Sequence, residues 1–175
     1  SLLGTTIEGI SDTASELKDR LEKTQARLME LKHTVREAVK ARNFTGLLEL
    51  VAELLTIKPD SPEVEKLKRQ LEGREIREAR AAAHEKAIAC IAKQQYEEAV
   101  AVLNEVSSEV WDEQLEELKV EAIGLMTRVR TMRNEIAERV EENRLVDLLP
   151  MVKECLELKE NQSDLVEVQK TLFKG

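Results

Sequence analysis

The sequence predicts an all-α fold of stacked antiparallel helix hairpins, an α-solenoid of about three repeats in which long and short helices alternate. Three observations predict it. Ala, Leu, Glu, Lys and Arg account for 96 of the 175 residues, a composition typical of long helices or coiled coil. Six Gly and three Pro are too few for the turns of an all-β chain. The apolar residues recur at helical steps of three and four, in segments that return about every 50 residues.

The first long helix is expected from about Ser11 to Ala41. Its apolar or small positions are Ile10, Ala14, Leu17, Leu21, Thr24, Leu28, Leu31, Val35 and Ala38, a coiled-coil-like seam, and Ser11 or Asp12 suits its N-cap. The first short helix, about Thr45 to Ile57, is apolar over a wider face and stops before Lys58-Pro59-Asp60. Ser61-Pro62-Glu63 opens the second long helix, with Ser61 as N-cap and Pro62 at the first helical position. That helix is expected to run to about Lys93, with a kink near Gly73. The second short helix covers about Tyr96 to Ser107. The third long helix runs from about Asp112 to Glu142 on the seam Leu115, Leu118, Ala122, Leu125, Val129, Met132, Ile136 and Val140. The third short helix spans roughly Val146 to Lys159, where Pro150 should bend it or move its start to about Leu149. A last helix, about Ser163 to Phe173, matches the opening of a long helix and is expected to cap the stack.

The repeats align on three breaks, Ala41-Arg42-Asn43-Phe44, Lys93-Gln94-Gln95-Tyr96 and Glu142-Asn143-Arg144-Leu145, whose anchors Phe44, Tyr96 and Leu145 are 52 and 49 residues apart. Upstream, Val35, Ala87 and Ile136 correspond. Downstream, Val51, Leu103 and Val152 correspond, and Gly73 and Gly124 fall 51 apart. The expected organisation is one helical-repeat domain over 1–175, with repeats at about 11–60, 61–110 and 111–160 and a capping helix at 161–175. Each hairpin is apolar on both flanks, so it buries them only against its neighbours.

Gln95-Tyr96-Glu97-Glu98-Ala99-Val100 resembles the opening of the second helix of a tetratricopeptide repeat, and Thr56-Ile57-Lys58-Pro59-Asp60 resembles that family's exit into the next repeat. The likeness covers the short helices and their turns, about a third of the chain. The family's period is about 34 residues, so here the first helix of each repeat is lengthened by a little over four turns, and the Trp-Leu-Gly-Tyr signature of that helix is absent. The resemblance implies a helical scaffold that binds protein. The composition also resembles helical regulatory segments beside bacterial serine/threonine kinase domains.

Little in the chain points to chemistry. His33 and His84 have no ligand partner at metal spacing, and Glu30-x-x-His33 has no second copy as a di-metal bundle would need. His84 reads as a surface helix residue. Cys90 and Cys155, 65 residues apart, read as buried free thiols, and a reducing, cytoplasmic compartment is expected from them. No Gly-rich phosphate loop is present. Two Arg-rich stretches, Arg69, Arg74, Arg77 and Arg80, and Arg128, Arg130, Arg133 and Arg139, are interleaved with Glu. They read as solvated faces with pairs inside one helix, the functional alternative being a patch for an acidic or phosphorylated segment. Trp111 is expected half-buried under a turn. No catalytic, cofactor-binding or metal-binding residue is assigned, and the chain is expected not to be an enzyme.

The formal charge of -8 argues against binding a nucleic-acid backbone. The richest apolar stretch, Leu47 to Leu55, is broken by Glu49 and Glu53, so no membrane insertion is expected. No secretory leader is evident in the first residues, and the Ser-Leu-Leu-Gly start suggests a piece of a longer protein. The expected function is a non-catalytic scaffold that binds a partner protein or peptide in a groove between hairpins. The alternative is self-association, as in a homodimer, through the coiled-coil-like seam of the long helices.

Overall fold

The computed structural model describes residues 2–174, with side chains from Thr13 to Lys174. The chain is all-helical: α1 (Leu2–Lys40), α2 (Leu47–Ile57), α3 (Pro62–Ala92), α4 (Tyr96–Asn104), α5 (Glu113–Glu141), α6 (Leu148–Leu158) and α7 (Ser163–Lys174), with no strand among the described residues. It divides into two compact units, Ser1–Glu75 and Ile76–Gly175, and α3 contributes to both.

The helix boundaries follow local chemistry. Pro62 opens α3, where its missing N–H is not needed. The Asp112 carboxylate caps α5 by accepting from the Leu115 N–H at 2.9 Å. Pro150 is the third residue of α6, in its first turn, and the helix starts at Leu148 rather than Val146, within one residue of the later start expected from the proline. α3 is helical without interruption through Gly73. The start expected for α1 was wrong. The helix begins at Leu2, so Ser11 and Asp12 lie inside it and neither caps it. Once a helix is nucleated each further residue adds a hydrogen bond, and the two early glycines do not stop it. The side chain of Ile10, the first expected seam residue, lies outside the described side chains.

All three long helices end in the same way. The N–H of Asn43 donates to the Ala38 carbonyl at 2.9 Å and that of Arg42 to the Val39 carbonyl at 3.1 Å. The pairs Gln95–Cys90 (2.8 Å) and Gln94–Ile91 (2.9 Å), then Arg144–Arg139 (2.8 Å) and Asn143–Val140 (3.1 Å), reproduce this. Arg42, Gln94 and Asn143 adopt left-handed φ of 53°, 61° and 56°. This is the Schellman motif, closed each time without its usual glycine. The cost to a residue with a Cβ gives a prediction with opposite signs at two like positions. Arg42→Gly should raise stability by about 0.5–1 kcal/mol. Gln94→Gly should lower it by a similar amount, because the Gln94 side chain donates to the Glu157 carbonyl at 2.9 Å and accepts from the Glu160 N–H at 2.8 Å. Urea denaturation of the two variants checks both.

In the first unit the core is Val35 of α1, Leu47 and Val51 of α2 and Leu71 of α3, flanked by Ala38, Phe44 and Leu67. In the second unit Ala83 and Ala87 pack with Leu103 and Leu115, beside Trp111 and Leu118. A second cluster there joins Tyr96, Val129, Ile136, Leu148, Val152, Cys155 and Leu165. Val35, Ala87 and Ile136 are all buried, as are Val51, Leu103 and Val152.

The three break anchors do not share surroundings. Tyr96 is the first residue of α4 and only 4% exposed. Phe44 is half-buried under the Arg74 guanidinium, 4.2 Å from the ring centroid. Leu145 is 45% exposed. Phe44 and Leu145 each precede a second left-handed residue, Gly46 and Asp147, and accept from Leu47 and Leu148 at 3.2 and 3.4 Å. That extra turn carries them away from the buried first turn of the short helix, which Tyr96 occupies directly.

Candidate protein-binding surfaces

Among the described residues, no group of three or more His, Cys, Asp and Glu gathers where it could hold a metal ion. Glu30 and His33 are both exposed. His84 is half-buried rather than a surface residue, and its buried Nε2 meets no hydrogen-bond partner among the described residues. Cys155 is buried, with Sγ 4.0 Å from the Val129 carbonyl oxygen, but Cys90 is only half-buried. Its position in an apolar register did not guarantee a covering neighbour. Trp111 is half-buried, donates from Nε1 to Glu116 at 3.1 Å and lies under Lys119.

The arginine stretches are not simply solvated faces with pairs inside one helix. Arg80 donates from Nε to the Val110 carbonyl at 2.7 Å and sits 3.4 Å from Asp112, tying α3 to the turn before α5. Arg128 pairs with Glu154 of α6, and Arg133 reaches Asp164 of α7 at 2.6 Å. Arg139, by contrast, does pair within α5, with Glu135 at 2.7 Å. Helical spacing identifies possible partners on the same helix. It does not show that α6 and α7 bring carboxylates within reach of α5.

A polar cleft of about 430 Å³ lies beside these pairs, lined by Glu97, Arg130, Arg133, Lys159, Gln162 and Asp164 among others. Its charges are largely spent on one another: Arg133 on Asp164, and Lys159 on Glu97 at 3.2 Å. The Arg133 guanidinium beside Asp164 holds that carboxyl below its ordinary range. Glu97 is held down by its own backbone amide and then by Lys159. A carboxylate held low in the folded state stabilises the fold above the unfolded carboxyl range, near pH 4, and loses that contribution as pH falls through its folded value. The melting temperature should therefore fall less steeply below pH 4 in Asp164→Asn than in the parent chain, measured by circular dichroism.

Gln162, at the centre of this cleft, was not singled out from the sequence. It is 5% exposed, accepts from Arg133 at 2.5 Å and donates from Nε2 to the Lys159 carbonyl at 2.7 Å and the Cys155 carbonyl at 3.3 Å. The one sequence signal for it is a polar residue directly before the Ser163 start of α7, where the chain must turn.

Among the described residues, two apolar surfaces are left uncovered. One is a groove of about 720 Å³ lined by Val140, Leu145 and Val146 on one side and by Val168, Thr171 and Leu172 of α7 on the other, with Asp164 and Glu167 at its edge. Val146 is 81% exposed. The other is the seam of α1. Its far half is covered, with Leu31 1% and Val35 6% exposed, but Leu17 and Leu21 are 54% and 62% exposed. Every side chain from Thr13 to Ala26 is exposed. No helix among the described residues is long and apolar enough to cross a membrane. No family model, curated protein or solved structure matches the chain.

Proposed function

We propose that the chain is a non-catalytic protein-interaction scaffold built from a tetratricopeptide-like hairpin repeated about every 50 residues, and that it binds an apolar-faced helix of a partner protein in the groove between Val146 and Leu172. The groove is the observation that carries this reading. The repeat is supported by the three identical helix ends and by the shared burial of Val35, Ala87 and Ile136. A helical occupant is supported by what lies at the like positions of the earlier repeats. Phe44 sits beside Arg74 of a long helix, and Ile91 and Tyr96 share a cluster with Leu125 of the next long helix. At the third break Val140 and Leu145 face open groove instead, which a helix with apolar residues at steps of three and four would fill.

Helical peptides selected from a display library against the full chain test the reading. The selected peptides should carry such a stripe and should bind a Val146→Asp, Leu172→Asp variant at least tenfold more weakly. Binders indifferent to both substitutions would overturn it.

A further inference from the structure

The bare half of the α1 seam shares no residue with that groove, and its charge pattern specifies a different partner. In heptad register Ala14, Leu21 and Leu28 occupy a positions and Leu17, Thr24 and Leu31 occupy d positions. The positions flanking this seam are then Lys18, Arg20, Gln25, Arg27 and Lys32. None is acidic; Glu16, Asp19, Glu22 and Glu30 all fall on the outer positions b, c and f. Flanking e and g residues set partner choice in helix pairs, because they meet across the seam.

The covered half of the same seam shows what such a rail accepts. There α2 packs on α1, and its Glu53 takes the flanking Arg27 in a two-pronged pair, Nε to Oε1 at 2.7 Å and Nη2 to Oε2 at 2.8 Å. Towards the N-terminus the stripe continues through Leu21 and Leu17, with Arg20 and Lys18 on its flanks, and every side chain there is exposed. A second copy of this chain does not suit it. Paired in parallel, Arg20 would meet Gln25 and Arg27 would meet Lys32; paired antiparallel, cation would meet cation.

We infer that α1 between Ala14 and Leu28 docks a helix of another protein that carries an apolar a/d stripe flanked by Glu or Asp, extending the mode in which α2 already covers the rest of the seam.

Two synthetic 28-residue heptad peptides, identical with Leu at a and d but with Glu or Lys at e and g, test this against the full chain by fluorescence anisotropy. The Glu peptide should bind at least tenfold more tightly than the Lys peptide, and the preference should shrink with added salt. Lys18→Glu with Arg20→Glu should reverse it, and Leu17→Glu should abolish binding with the helix content unchanged. All three substitutions fall on exposed positions, so the fold is not at stake. Equal binding of both peptides, or a preference untouched by the charge reversal, would overturn the inference. So would sedimentation equilibrium showing a dimer lost in Leu17→Glu, since a second copy would then be the occupant. Val146→Asp should leave the peptide preference intact, which separates this surface from the groove.

Discussion

Replacing Tyr96 by alanine is expected to destabilise the second unit by about 3–5 kcal/mol, the range for removing a buried aromatic ring. The ring is 4% exposed and packs in the cluster that holds Val129, Ile136, Leu148 and Val152, drawn from α4, α5 and α6. Its hydroxyl donates to the carbonyl of Leu158, the last residue of α6, one of the carbonyls that a helix end leaves without a partner. Burial also pushes the phenol above its ordinary range, so it stays a neutral donor at neutral pH. Tyr96→Phe separates the two contributions and should cost about 1 kcal/mol. Urea denaturation of both variants measures them. A phenylalanine variant as stable as the parent would mean that water serves the Leu158 carbonyl equally well.

Gln162→Leu should cost the same unit about 1–3 kcal/mol, because the substitution nearly conserves shape but leaves the Lys159 carbonyl without its donor. The Lys159 carbonyl loses its side-chain donor, the Cys155 carbonyl keeps only the Lys159 N–H at 3.1 Å, and Arg133 keeps only the Asp164 carboxylate. The backbone carbonyl of Gln162 also accepts from the Val166 N–H at 3.0 Å, the first turn of α7. The loss should therefore appear locally as well, as faster hydrogen exchange through α7 with α4 less affected. Uniform exchange across both helices would mean that the network does not hold α7 in particular.

These residues show where sequence reasoning works and where it stops. Pro62, Asp112 and the breaks at 42, 94 and 143 act through bonds to near neighbours in the chain, so the ends of α3, α5 and the three long helices were legible to within a few residues. The start of α1 was not, because Gly4 and Gly9 weigh against a helix by propensity, and propensity yields to a register already established on both sides. The anchors Phe44, Tyr96 and Leu145 aligned by position but not by burial. One extra left-handed residue after the first and third breaks, Gly46 and Asp147, displaces the anchor from the short helix, and the alignment gives no sign of it. The arginines were recognised as clustered, but their carboxylates on α6 and α7 lie 26 and 31 residues away, beyond any helical spacing rule.

By itself, the order of amino acids determined that this chain is helical, where its helices turn, and which stripe of each is apolar. Those properties depend on interactions within a few residues, repeated along the chain. Which stretch of each stripe is covered was decided only in three dimensions. Leu31 and Leu17 occupy like positions on one seam, yet one is buried and the other open. Burial is a property of what a neighbouring helix brings to the surface, and α2, eleven residues long, is too short to cover the whole of α1.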